Sequence, residues 1–224
     1  MKNEQHTLSS FGYLRVGVVS PELRVADIAF NCERIRDAIR DARAYDCRFL
    51  VFPELCVSAY SCGDLFFQSL LIDRTRQALL ELADFTGQQQ VTAIVGAPVT
   101  QGGRLFNCAV FLSHGRILGV IPKTYLPNYQ EFYEERWFSS ATDRTADTLQ
   151  WGKETIPFGT DLLFRAADHP DWLVGVEICE DLWAVTPPSE ASAQPRASSC
   201  AHRPRARRER PTGSRGSRPK RPPA

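Results

Sequence analysis

An α/β fold built on a mixed sheet is the architecture this sequence predicts, and three observations carry the prediction. Short β-rich runs alternate with helix-spaced runs through residue 98, the order expected when helices pack on a sheet. Two later apolar runs are each joined to a second across a polar turn, which reads as hairpins and makes the sheet mixed. The strands are apolar nearly throughout, so both faces need cover, from helices or from a second sheet.

Each element follows from its pattern. Residues 14–19 (LRVGVV) form the first strand. From Asp27 to Tyr45 a helix is predicted, with Ile28, Cys32, Ile35, Ile39 and Ala42 on one face. Residues 48–55 (RFLVFPEL) are the second strand. Asp64 is placed to cap a second helix whose Leu71, Thr75, Leu79 and Leu82 share a face. Residues 91–98 (VTAIVGAP) make the third strand, and 105–123 read as two strands joined at Ser113-His114-Gly115-Arg116. A polar segment follows. Residues 161–179 then repeat the hairpin across Asp168-His169-Pro170-Asp171.

Composition divides the chain. Of the 224 residues, 1–10 read as a flexible leader, 11–190 as one folded domain and 191–224 as a disordered tail. The tail carries ten Lys/Arg against one Glu, and the rest carries seventeen basic against twenty-five acidic residues, so a net charge of +1 hides +9 and −8. Six prolines and no apolar periodicity leave the tail too little to bury to offset ordering entropy. Its Arg/Pro/Ala/Ser richness is what a GC-rich reading frame yields when shifted, and no strand for the sheet is expected there. Without interleaved aromatics, nucleic-acid binding is not expected either. Seven cysteines scattered singly suggest neither a disulfide framework nor a zinc site. No apolar run approaches the roughly 18 residues that span a membrane, and the first residues lack a signal-peptide core. A reduced, cytoplasmic protein is expected.

The chemistry lies just past three buried strands. After RFLVF comes Pro53-Glu54, after RILGVI comes Pro122-Lys123, and after WLVGVEI comes Cys179. Ligands gather where strands of α/β sheets end, and proline fixes the local backbone direction. Each residue alone reads as a loop carboxylate, a solvated cation or a core thiol. Together they form a unit: Glu54 can take the thiol proton, and Lys123 can stabilise an oxyanion, with the Glu180 N–H as second donor. A Cys–His pair is the usual alternative. It fits poorly here, since His6 lies in the leader, His114 and His169 in turns and His202 in the tail. Asp181 has no assigned part beyond capping the turn that follows.

At these residues the chain resembles the nitrilase, or carbon–nitrogen hydrolase, superfamily. VFPEL, GVIPKTYLPNY and GVEICEDLW carry the resemblance in that order, over roughly residues 11–190. More narrowly, PKTYLPNYQEFYEERWF, with CEDLW followed by Pro187-Pro188-Ser189, is similar to the glutaminase domain of glutamine-dependent NAD⁺ synthetases. The resemblance implies a nitrilase-type αββα sandwich, incomplete at the C-terminal side. It implies Glu54 as general base, Lys123 as oxyanion stabiliser and Cys179 as the nucleophile that forms a glutamyl thioester. Glu134 is the implied auxiliary glutamate near the lysine, with Glu131 as the alternative. Tyr60, Tyr129 and Glu180 are the implied lining of a glutamine pocket, with Glu180 on the substrate α-ammonium. For both tyrosines, plain packing is the competing reading.

Metal or organic cofactors are not implied for glutamine hydrolysis. ATP and Mg²⁺ belong to a synthetase domain, and no Gly-rich phosphate loop appears downstream. The further helix, strand and sandwich layers the family would place after Ser189 are not expected either, which would leave apolar surface bare and the site half-walled. Intact family members imply homo-oligomers. Two other readings compete: a stand-alone amidase or nitrilase acting on another C–N bond, and an inactive truncated interaction module.

Overall fold

The computed structural model describes residues 11–192 and 199–201, so the leader and most of the 191–224 tail lie outside the described residues. Five strands form the main sheet in the order β1 (Val16–Val18), β2 (Phe49–Val51), β3 (Thr92–Gln101), β4 (Arg104–Ser113) and β5 (Arg116–Pro122). β1, β2 and β3 run parallel, while β3–β4 and β4–β5 are antiparallel. The sheet is mixed, as the hairpin signals predict. At the β4–β5 turn His114 and Gly115 both take positive φ, 53° and 77°, the geometry a two-residue hairpin needs.

Helix α1 (Ile28–Ala44) begins where Asp27 accepts a hydrogen bond from the Phe30 N–H at 3.1 Å. Its buried face holds Cys32, Ile35, Ile39 and Ala42 together with Asn31. Helix α2 (Ser69–Gln89) buries the predicted Leu71, Thr75, Leu79 and Leu82. Asp64 does not cap it. Residues Tyr60–Phe67 form a separate 3₁₀ segment kinked at Gly63, and Gln68 stands at the helix start. The Asp64 carboxylate instead receives Arg136 Nε at 2.7 Å, Arg136 Nη2 at 2.8 Å and Trp137 Nε1 at 2.9 Å, which hold it well below the usual carboxylate range.

Both helices cover one face of the sheet, in a core that joins Ile35, Ile39, Leu79 and Leu82 to Leu50, Val95 and Val110. The other face carries Ile94, Ala109, Phe111 and Ile121 and meets a second layer. There β8 (Leu163–Arg165) pairs antiparallel with β9 (Leu173–Val174), and Phe164 stacks on Phe111 at 3.9 Å. The helix–sheet–sheet order is that of an α/β sandwich. Its inner face is covered over β3 to β5 and open over β1, where Val16 and Val18 are 49% and 85% exposed.

Three expectations need correction. The apolar run 172–178 is laddered only at Leu173–Val174, because β8 is three residues long and pairs no further along it. The segment between strands 5 and 8 is not simply polar: β6 (Thr148–Trp151) and β7 (Glu154–Pro157) form a hairpin with Leu149, Trp151 and Ile156 buried. Residues 191–224 do supply a strand, β10 (Ser199–Ala201), parallel to β8. It adds to the open hydrogen-bonding edge of β8 through the backbone ladder. Among the described residues no helix is long and apolar enough to cross a membrane.

Candidate active site

Lys123 follows β5 by one residue, and its backbone is pinned on both sides. Its N–H donates to the Asn107 carbonyl at 2.8 Å, and its carbonyl accepts from the Ala141 N–H at 2.9 Å. Strand alternation turns its side chain to the inner face, the same side as Ile121 and Ala109. There the ammonium is fully buried, and an ammonium in that position requires charged partners. It has two. Nζ donates to Glu54 Oε1 at 2.7 Å and to Glu134 Oε1 and Oε2 at 2.8 and 3.0 Å. Burial works against the lysine charge, but Glu54 and Glu134 outweigh it and hold the pKa above the ordinary lysine value.

Glu134 is almost fully buried and also accepts from the Tyr60 hydroxyl at 2.7 Å. Burial first, and Glu134 next, push the Tyr60 hydroxyl well above the usual phenol range. Glu131 is exposed, so of the two glutamates weighed for the auxiliary place it is Glu134 that meets the lysine. Tyr60 therefore braces Glu134.

The chain turns back sharply around Glu54. Leu55 takes a positive φ of 53°, and the turn closes through Cys56 N–H to Pro53 carbonyl at 3.2 Å. That turn lies directly on β3 at Gly96, where an added Cβ would stand 2.2 Å from Leu55 N and 2.7 Å from Glu54 C. Only glycine allows this approach. Gly96→Ala must therefore displace the backbone that aims Glu54, and a loss of turnover on the order of 100-fold is expected, with thermal unfolding separating this from global instability.

Asn107, which was not singled out from the sequence, completes the cluster. It is fully buried on β4, and its Nδ2 donates to Glu54 Oε1 at 2.6 Å and to Glu134 Oε2 at 3.4 Å. Its only sequence signal is a polar residue inside the apolar run LFNCAVFL. Both donors to Glu54 reach Oε1. Among the described residues none donates to Oε2, which remains the oxygen able to accept a proton.

Cys179 approaches from the other layer. Ile178 packs in the inter-sheet core, and Cys179 then takes a φ of 48°, an uncommon conformation for a residue with a Cβ, of the kind that concentrates at functional sites. Cys179 is exposed as a residue, unlike the buried Cys32, Cys47, Cys56, Cys62 and Cys108, and opens the 3₁₀ turn Cys179–Trp183. Its pKa is raised, by burial first and then by the Glu54 charge. Lys123 and the Glu180 N–H pull it down without overcoming them. The thiol is therefore protonated at neutral pH and needs a base at the moment of attack. At the rim, the half-exposed Tyr129 donates from its hydroxyl to Glu180 Oε2 at 3.0 Å. No group of three His, Cys, Asp or Glu side chains among the described residues could hold a metal ion.

Glu54, Lys123, Glu134 and Cys179 thus act on one another electrostatically, with Tyr60 behind Glu134 and Tyr129 on Glu180. A buried cation, a carboxylate with one free oxygen and a protonated thiol can add sulfur to a carbonyl carbon, hold the resulting oxyanion and shuttle the proton.

Known proteins share both sequence and fold with this chain. The chain is 38% identical over 182 residues to a glutamine-dependent NAD(+) synthetase of Mycobacterium tuberculosis, an alignment covering 81% of this chain and 27% of the relative. It is 30% identical over 172 residues to the glutamine-dependent NAD(+) synthetase of Homo sapiens, covering 72% and 24%. The chain therefore spans about a quarter of the length of these relatives. A crystal structure of a glutamine-dependent NAD(+) synthetase from Cytophaga hutchinsonii superposes with a TM-score of 0.68 at 29% identity, over 75% of this chain and 28% of that one. An amidase from Nesterenkonia sp. AN1 shares the fold, with a TM-score of 0.51 at 21% identity over 68% of this chain and 57% of its own. Residues 15–188, which include Glu54, Lys123 and Cys179, match the carbon-nitrogen hydrolase family, and the chain belongs to that family.

Proposed function

We propose that Cys179, Glu54 and Lys123 form a glutamine amidohydrolase site. The observation that carries this reading is the fully buried Lys123 bonded to both Glu54 and Glu134, with the exposed Cys179 within electrostatic reach of all three. Glu54 Oε2 takes the thiol proton as sulfur adds to the side-chain carbonyl carbon of glutamine. The oxyanion is held by Lys123 Nζ and the Glu180 N–H. Collapse expels ammonia with the proton returned by Glu54, leaving a Cys179 glutamyl thioester. A water deprotonated by Glu54 then adds to the thioester carbon, the C–S bond breaks to release glutamate, and Glu54 returns the proton to the departing sulfur. Glu180, oriented by Tyr129, is the group for the substrate α-ammonium. Metals and organic cofactors have no part in these steps.

Glutamine as substrate, in preference to a simple amide, rests on the similarity to glutamine-dependent NAD(+) synthetases at up to 38% identity, whereas the amidase likeness is one of fold alone. In this reading ammonia passes to a synthetase site, with its ATP and Mg²⁺, that the described residues do not include. Mass spectrometry of acid-quenched protein tests the glutaminase step. A glutamyl adduct on Cys179 with glutamine, absent in Cys179→Ala and absent with simple amides, is expected. An adduct formed equally well from simple amides would contradict the assignment.

A further inference from the structure

We propose that Asp181 is the positioning residue that registers Cys179 against Lys123, by binding the backbone of both segments at once. Oδ1 accepts from the Thr124 N–H at 3.0 Å and the Tyr125 N–H at 2.8 Å, the two residues that follow the lysine. Oδ2 meets the Ile178 N–H at 3.4 Å, the residue before the cysteine. Asp181 is 2% exposed, so these are buried carboxylate bonds.

The need for such a tie comes from the topology. Lys123 belongs to the end of β5 in the main sheet, while Cys179 lies beyond β9 in the second sheet. The two strands share no ladder. Residues 175–178, which lead to the cysteine, are not paired in a sheet. The buried packing between the layers near the site is an apolar cluster that includes Ile178 and Ile121, and apolar contact is non-directional. It cannot set a thiol against an ammonium to a fraction of an ångström. If Asp181 only capped its own turn, its best bonds would be local. Instead its local bond, at 3.4 Å, is the longest, and its two short ones cross to the lysine segment. A second tie joins the same segments at the surface, where the Tyr125 hydroxyl donates to the Thr186 carbonyl at 3.0 Å.

This inference rests on the proposed site but is tested separately from it. The test compares full-length wild type with Asp181→Ala and Asp181→Asn. The first readout is the pH dependence of Cys179 alkylation by iodoacetamide, which requires no recognition of glutamine. The groups acting on the thiol are Glu54, Lys123, Glu134 and the Glu180 N–H, and the thiol in turn acts on Tyr60 and Tyr129. Lys123 lowers the thiol pKa, so a lysine out of register moves the alkylation midpoint upward. Asparagine keeps a weaker, uncharged acceptor and sets its amide nitrogen against the Ile178 N–H, so its midpoint falls between the other two. The second readout is reaction with a glutamine-analogue electrophile, expected to drop on the order of 100-fold in Asp181→Ala. If that variant does not fold, Asp181→Asn decides alone. A midpoint in Asp181→Asn coincident with wild type overturns the proposal. A wild type indifferent to the glutamine analogue contradicts the glutaminase reading and leaves the alkylation midpoints to judge Asp181.

Discussion

Glu54→Gln is expected to make Cys179 more reactive toward iodoacetamide and less able to turn over glutamine. The two effects have opposite signs because Glu54 acts on the thiol in two ways. Its charge is the largest electrostatic influence raising the thiol pKa, so neutralising it lowers that pKa and increases the thiolate fraction at any pH below it. Alkylation, which needs only thiolate, then speeds up. Glutamine hydrolysis also needs a base that returns its proton to the departing ammonia, and removing such a group lowers turnover by roughly 100- to 10,000-fold. Glutamine also fits the space, because the bonds from Asn107 and Lys123 both use Oε1, which the side-chain amide oxygen can replace. Alkylation rates across pH and ammonia release, measured on one preparation, check both signs. A parallel fall in both would mean that Glu54 merely supports the loop.

Lys123→Met is expected to act on stability as strongly as on activity. Methionine fills a similar volume but leaves Glu54 and Glu134 facing each other without the cation that bonds to both. Breaking a buried ion pair from one side costs about 3–5 kcal/mol. For a domain of this size that lowers the thermal midpoint by on the order of 10 °C. Glu134→Gln in the same background removes one of the stranded charges and should restore part of the loss, since both variants remove members of one network. Turnover stays abolished in both, because the oxyanion has lost its cation. The sign of the pH effect follows from the raised pKa of Lys123: its contribution is fully present below the ordinary lysine value of 10.5 and is lost as pH rises through the higher folded value. Thermal unfolding of wild type and variants, followed from neutral to strongly alkaline pH, should therefore converge only at the alkaline end.

Legibility in the sequence depended on whether a feature is local. Strand and helix patterns report which side chains meet a core, so α1, β3 and the β4–β5 hairpin could be read directly. Glu54 and Lys123 were visible as reactive groups soon after β2 and β5, whereas Cys179 stands five residues past the two-residue β9, at the end of an unpaired run. Asp64 looked like a helix cap because the kink at Gly63 leaves no local trace, and its true partners lie at Arg136 and Trp137. The β6–β7 hairpin was missed although Leu149 and Trp151 alternate with polar neighbours, because its charged turn dominates the composition. Asn107 and Gly96 carry no periodic signal, and their parts depend on contacts with Glu54 across the chain. Asp181 looked superfluous beside the nucleophile for the same reason: its short bonds reach back to Thr124 and Tyr125.

The most direct test of the account is how strongly Cys179 prefers a glutamine-shaped electrophile over a generic one. Exposure alone favours Cys179, since Cys32, Cys47, Cys56, Cys62 and Cys108 are buried and burial pushes the Cys32 and Cys56 thiols up to about 12. Selective labelling by iodoacetamide would therefore show little. The informative quantity is the rate with a glutamine-analogue electrophile divided by the rate with iodoacetamide, at Cys179, with and without added glutamine. A glutaminase site gives a large ratio that glutamine suppresses and that collapses in Glu54→Gln. A ratio near that of a free thiol, unchanged by glutamine, would contradict it.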